Sequence, residues 1–373
     1  MKASAPPGAR PVKVGVVTDR TGPLGLYGIA NSNVATMVVS DLNARGGLLG
    51  RRVELCLEDS ATDDRVAAAK ARKLIQQDQV DVILGGILSS TRLAIKGPAV
   101  EGRTLYIYPE HYEGQESHPL IFCTGPVPAQ QLEPFIPWLM QKTGAKKFYC
   151  PSADYLWPQV MNAKLADVIA AHGGTIVGEE YFPLDHSNYL ATIEKIMSSG
   201  AEVVFCTIVP PGIRAFLAQL YNAGFTQRGG HIVCPYFDEN FADIFPTREV
   251  EGVYTCLDYF QNVSDPFSKE LLSRYAGRYP GTKFTAGNGS TGMYRGLRLW
   301  EAAVEGAGSL EQGAVIKALD HSRILQGPGG PAEMVPGQHH VRMNMYIAQV
   351  KHGKLEVLRN LGVIDPGEAI LAE

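Results

Sequence analysis

The sequence has no run of about 18 apolar residues, so nothing in it reads as a membrane-spanning helix. Its longest stretch of interest, residues 203–209, is interrupted by Thr207 and has the length of a strand. Net charge is small, −4 over 373 residues, and only 19% of the residues are charged, so composition gives no support to nucleic-acid binding. No C-x-x-C pair occurs among Cys56, Cys123, Cys150, Cys206, Cys234 and Cys256, which removes zinc-ribbon and thioredoxin-type readings. Each cysteine sits in an apolar, strand-like run and reads as a buried free thiol, although pairing is left open.

Catalytic and cofactor motifs are scarce as well. A phosphate-cradling G-x-x-x-x-G-K-[ST] loop, an H-E-x-x-H helix and a G-x-S-x-G elbow are all missing. A literal G-x-G-x-x-G occurs at Gly287, Gly289 and Gly292. A turn, Tyr279-Pro280-Gly281-Thr282, precedes it in place of the buried strand that a dinucleotide site requires, so it reads as a helix entry. His339 and His340 are adjacent and lack helical ligand spacing, which makes them a solvated loop pair. No cofactor, metal or catalytic residue is expected. The enzyme alternative is hydrolysis of an amide, with Ser89 as nucleophile and His111 as base.

What is present is 45% hydrophobic residues arranged in an alternating rhythm. Strands are expected at 12–18, 53–59, 80–84 and 104–108, separated by helices at 28–43, at 63–77 and from Ser89 onward. The rhythm restarts with strands at 148–150, 175–180 and 202–207 and helices at 158–171 and 188–199. Helices follow at 265–279, 292–307 and 310–319. A Gly/Pro-rich stretch at 324–338 then precedes a strand at 343–350. The fold class is therefore α/β, with two similar doubly wound lobes. Generic βαβ halves that share Gly-ended helices would look alike too. Lobe 1 is assigned to 11–126 plus 256–330 and lobe 2 to 127–255 plus 331–373.

In open α/β sheets ligands bind beyond the carboxyl ends of the strands, and two facing lobes would make a cleft there. The first lobe offers Ser89, Ser90 and Thr91, then Tyr108, Glu110 and Tyr112; the second offers Asp154, Tyr155, Trp157, Thr207, Tyr236 and Asp238. Ser89 or Ser90 would cap a helix whose free N–H groups can hold a carbonyl or carboxylate oxygen, or serve as a plain cap. The aromatic residues would enclose a small ligand with flat faces, or belong to ordinary lobe packing. Asp154, Glu110 and Asp238 would accept from an amine or amide N–H, or be solvated loop carboxylates.

These segments resemble a known family, the type I periplasmic-binding fold, and within it the amide and urea receptors. The resemblance rests on several stretches. Val14-Gly15-Val16-Val17 comes with Thr21-Gly22, and Asn43 is followed by Gly46-Gly47 and Gly50-Arg51. Ser89-x-Thr91-Arg92 is followed by Tyr108-Pro109-x-x-Tyr112-Glu113-Gly114. Asp154-Tyr155-x-Trp157-Pro158 comes with Asn162, and His172-Gly173-Gly174-Thr175 follows. The likeness extends to a cytosolic amide-binding regulator of amidase expression. It implies a hinged two-lobe protein without catalysis and ligand contacts at Ser89, Tyr108, Tyr155 and Thr207. Ile87, Trp157 and Tyr236-Phe237-Asp238 depart from the amide receptors, which opens the expected ligand to an amino acid or amine. The implied partners are a small-molecule solute and an ABC permease, or a regulatory protein in the sensor version. Residues 1–12 lack the apolar core of a secretory signal. The expected location is periplasmic if an upstream signal was trimmed, and cytoplasmic if Met1 is the native start.

Overall fold

A computed structural model describes residues 10–285 and 290–367. Residues 1–9 and the glycines Gly287 and Gly289 lie outside the described residues. In chain order the first elements are β1 (Val12–Thr18), α1 (Gly25–Ala44), β2 (Val53–Asp59), α2 (Asp64–Lys73), β3 (Val82–Gly85), α3 (Ser89–Glu101), β4 (Tyr106–Tyr108) and β5 (Ile121–Cys123). Next come α4 (Pro128–Leu132), α5 (Phe135–Thr143), β6 (Lys147–Ala153), α6 (Leu156–Ala171), β7 (Thr175–Phe182) and α7 (Leu190–Ser199). They lead into β8 (Val203–Phe205), α8 (Gly212–Asn222), β9 (His231–Val233), α9 (Glu239–Ile244), α10 (Thr247–Val250) and β10 (Tyr254–Leu257). The last are α11 (Pro266–Arg278), α12 (Thr291–Ala307), α13 (Gln312–Leu319), β11 (Arg323–Ile324), β12 (Ala332–Val335), β13 (His340–Lys351) and β14 (Lys354–Ile364).

The described residues divide into two compact units, the first within 10–126, 263–344 and 365–367, the second of Val127–Asn262 and Met345–Ile364. In the first unit β2, β1, β3, β4 and β5 lie side by side in parallel, and His340 at the start of β13 joins parallel to Cys123. In β1 the β-branched residues Val12, Val14, Val16 and Val17 are all buried, the pattern of a parallel strand covered on both faces. Helix α2 starts where Asp63 accepts hydrogen bonds from the amides of Arg65 and Val66, and Lys70, Arg72 and Lys73 fill its last turn. In the second unit β7, β6, β8, β9 and β10 run parallel, and β10 meets residues 346–349 of β13 antiparallel.

Three assigned boundaries move, and residues 365–367 belong to the first unit rather than the second. Residues 256–262 belong to the second unit, because β10 is hydrogen-bonded to β9 and Gln261 donates its amide to Glu239 at 2.7 Å. Residues 331–344 belong to the first, because β12 pairs with the leading half of β13 and that half pairs with β5. The Gly/Pro-rich stretch thus contains two short strands, β11 and β12.

Candidate functional site

The carboxyl ends of β3 and β4 carry the candidate residues of the first unit. Leu88, in extended conformation, is the cap of α3 and Ser89 is its first helical residue, with no side-chain cap bond. The serines therefore do not cap this helix; their hydroxyls are drawn to nearby carboxylates. Ser89 donates to Glu113 Oε2 at 2.6 Å, while Ser90 and Thr91 both reach Asp64 Oδ1, at 3.2 and 3.0 Å. The hydroxyl that the hydrolase alternative needs as a nucleophile is thus bound to a glutamate.

Glu113 belongs to a buried charge cluster. Arg92 donates one guanidinium nitrogen to Glu113 Oε1 at 2.6 Å and the other to Glu116 Oε2 at 2.5 Å, and Lys96 reaches Glu116 Oε1 at 2.7 Å. The guanidinium carbon lies 5.6 Å from the ring centre of Tyr108 and 5.0 Å from that of Tyr112, positions that suit attraction to the ring faces. The two tyrosine rings meet edge to face at 5.4 Å. Tyr108 donates its hydroxyl to the Ile87 carbonyl at 2.6 Å, and the Tyr112 hydroxyl is bonded to His340 Nε2. The histidine pair expected in a solvated loop is instead buried, His340 opening β13 and His339 stacked on Phe122. Burial pushes both phenols well above their ordinary range, so they stay protonated. Burial also pushes the Glu116 carboxyl up, but Lys96, the His118 amide and Arg92 outweigh it and hold it below the usual value. Glu110 stands apart from this cluster, buried, and accepts from Asn31 Nδ2 at 2.7 Å.

The second unit gathers its residues at the carboxyl ends of β6, β8 and β9. Tyr155 is the extended residue that opens α6, and its ring stacks 6.3 Å from that of Trp157. Trp157 meets Tyr236 edge-on at 5.9 Å, and Tyr236 meets Phe241 in the same way at 5.3 Å. This forms a continuous aromatic row, which the Tyr236 hydroxyl pins by donating to the Ile208 carbonyl. Next to Ile208, Thr207 is fully buried and bridges to Ser152, and its own hydroxyl has no hydrogen-bond partner among the described residues. Asn162 Nδ2 donates to Ser152 Oγ at 2.8 Å and lies 3.1 Å from the Tyr181 hydroxyl.

Asp238 and Asp154 have local structural tasks. Asp238 caps α9, accepting from the amides of Asn240 and Phe241 at 2.9 and 3.4 Å. Asp154 is exposed and accepts from Gln159 at 3.2 Å. The residues absent from the expected site are Arg92, Glu113 and Glu116 in one unit and Asn162 in the other. Arg92 and Glu113 sat inside the Ser-x-Thr-Arg and Tyr-Glu-Gly stretches, where a buried Arg and a buried Glu needed each other as partners. Among the described residues no group of three His, Cys, Asp or Glu is arranged to hold a metal ion, and no helix is long and apolar enough to cross a membrane.

Residues 11–354 match the periplasmic binding protein family. The chain belongs to that family. Among curated relatives, the Leu/Ile/Val-binding protein of Escherichia coli K12 is 34% identical over 83 residues, 22% of this chain and 22% of that protein's length. A Leu/Ile/Val-binding protein homolog of Brucella melitensis is 24% identical over 351 residues, covering 87% of this chain and 84% of that one. Among solved structures, a leucine-binding protein from Thermotoga maritima superimposes with a TM-score of 0.83 at 20% identity, covering 94% of this chain and 99% of that one. An amino acid ABC transporter substrate-binding protein from Pseudomonas fluorescens reaches 0.85 at 19% identity over 97% and 98%. A solute-binding protein from Rhodopseudomonas palustris, in complex with 3,4-dihydroxybenzoic acid, gives 0.82 at 22% over 96% and 98%. The fold is thus the type I periplasmic-binding fold expected from the sequence, and the family is one of non-enzymatic solute-binding proteins.

Proposed function

We propose that this chain is the substrate-binding protein of an ABC importer, acting in the periplasm, and that it captures a small polar solute of the amide, urea, amino acid or amine type. The observation that carries the reading is the Thr207 hydroxyl, fully buried and without a hydrogen-bond partner among the described residues, beside the aromatic row of Tyr155, Trp157 and Tyr236. An unpaired buried hydroxyl costs about 1–3 kcal/mol. A solute oxygen or nitrogen would satisfy it, and flat rings nearby offer apolar faces to the rest of the molecule. Within the first unit, Ser89 and Tyr108 are the solute contacts that the family resemblance implies. The amino acid and aromatic acid binders among the structural neighbours lend support to a solute of this size.

A thermal-shift panel of acetamide, urea, L-leucine, benzoate and short amines tests the reading. A ligand of the folded state stabilises it by RT ln(1 + [L]/Kd), so the melting temperature rises with ligand concentration. One class should stabilise the protein, and Thr207→Val, Ser89→Ala and Tyr155→Ala should each reduce that shift. If every variant keeps the full shift, the site lies elsewhere; if no solute shifts the protein, the binding reading fails.

A further inference from the structure

The Ser89 hydroxyl has a fixed hydrogen-bond polarity. A serine hydroxyl carries one proton and two lone pairs, whereas a carboxylate only accepts. At 2.6 Å from Glu113 Oε2, the Ser89 proton is spent on Glu113, and its oxygen presents lone pairs alone to anything else. Glu113 cannot turn away, because its other oxygen is held by Arg92 at 2.6 Å and Arg92 is tied in turn to Glu116. Ser89, Arg92, Glu113 and Glu116 are between 3% and 4% exposed, so water does not compete for these bonds. Neighbouring hydroxyls are spent the same way, Tyr108 on the Ile87 carbonyl and Thr91 on Asp64.

We propose that Glu113 is a specificity-determining residue: by holding Ser89 as a pure acceptor it admits a solute N–H and refuses a carboxylate oxygen at the same place. This rests on the reading above that Ser89 touches the solute. A carboxylate oxygen set against Ser89 would bring two acceptors together with no proton between them, in a site from which water is excluded.

The cluster also predicts how to invert this selectivity. Arg92 can only donate, so in Glu113→Gln the amide oxygen must stay on Arg92 and the amide nitrogen must face Ser89. That nitrogen donates to Ser89 Oγ, and the serine proton turns toward the solute. One atom is exchanged, the shape is kept, and Ser89 changes from acceptor to donor.

The experiment is calorimetric titration of the full chain with matched pairs: acetamide and acetate, L-leucinamide and L-leucine, benzamide and benzoate. Wild type should favour the amide member of a pair by about tenfold or more. Glu113→Gln should lower that ratio by about tenfold, whereas Glu116→Gln, which removes the same charge from the same cluster without touching Ser89, should leave it unchanged. A wild-type preference for carboxylates overturns the proposal. So does an unchanged ratio in a folded Glu113→Gln, or an equal change in Glu116→Gln. If Glu113→Gln does not fold, Ser89→Ala decides: loss of the amide preference upholds the proposal and its retention overturns it. Failure of the wild type to bind any of these solutes, or any in the thermal-shift panel, instead removes the binding reading on which the proposal stands.

Discussion

Gly292 lies so close to Pro109 that a Cβ built on it would stand 1.7 Å from the Pro109 carbonyl oxygen. One turn on, a Cβ on Gly296 would come within 2.9 Å of the Ile107 side chain, and the Thr124 hydroxyl donates to the Gly292 carbonyl at 2.9 Å. The G-x-x-x-G face of α12 is therefore what lets this helix approach the end of β4, and Gly292, at the helix entry as expected, is a packing residue as well. Gly292→Ala should destabilise the protein by about 2–3 kcal/mol, the cost of forcing backbone apart in a filled core. Urea denaturation would show this as a lower midpoint. Gly296→Ala meets a movable side chain and should cost less.

Thr207→Val separates a binding role from a structural one. The hydroxyl has no partner to lose among the described residues, so its replacement by a methyl should leave stability unchanged or raise it by about 1 kcal/mol. The same substitution should diminish the solute-induced shift. A clear loss of stability without ligand would mean that Thr207 has a structural partner after all.

Arg92 holds two buried carboxylates at once, so removing it leaves Glu113 without a cation and Glu116 with Lys96 alone. Arg92→Met should cost about 3–5 kcal/mol, the usual penalty for breaking a buried ion pair from one side. Adding Glu113→Gln and Glu116→Gln to Arg92→Met should recover much of that loss, because the uncompensated charges go with it. A folding-stability cycle across these variants reads the coupling directly.

Two parts of the first unit give stability a stepped dependence on acid. Burial lowers the His339 and His340 pKa values from the ordinary 6.5. The unfolded chain therefore binds protons there first, and stability should begin to fall as the pH drops through about 6.5. For Glu116, burial raises the pKa but its cationic and amide partners lower it below the ordinary 4.5 overall. Its contribution is present above 4.5 and should be lost as the pH falls further. Urea midpoints between pH 8 and pH 3 should show both steps; His340→Phe should weaken the upper step and Glu116→Gln the lower.

Long or strongly patterned elements were legible in the sequence. β1 and β2 fall at the expected residues because β-branched and alternating runs of seven residues carry a clear period. β5 and β9 have three residues each, too few to show any period, and only pairing with neighbours defines them. The site was legible as a set of places, the loops that follow β3, β4, β6, β8 and β9. The direction of its hydrogen bonds was not. Ser89 finds Glu113 across 24 positions and Tyr112 finds His340 across 228, and a hydroxyl's proton follows the partner that folding brings to it.

The six free cysteines turn the fold into its own clock. Five are fully buried and Cys56 is partly so, and burial pushes the Cys123 and Cys206 thiols up to about 12. In the native protein they should be almost silent toward alkylating reagents, which attack thiolates. Cys56 and Cys123 belong to the first unit, the other four to the second. Pulse alkylation followed by peptide mass analysis would therefore time the opening of each unit separately, with no probe added to the chain.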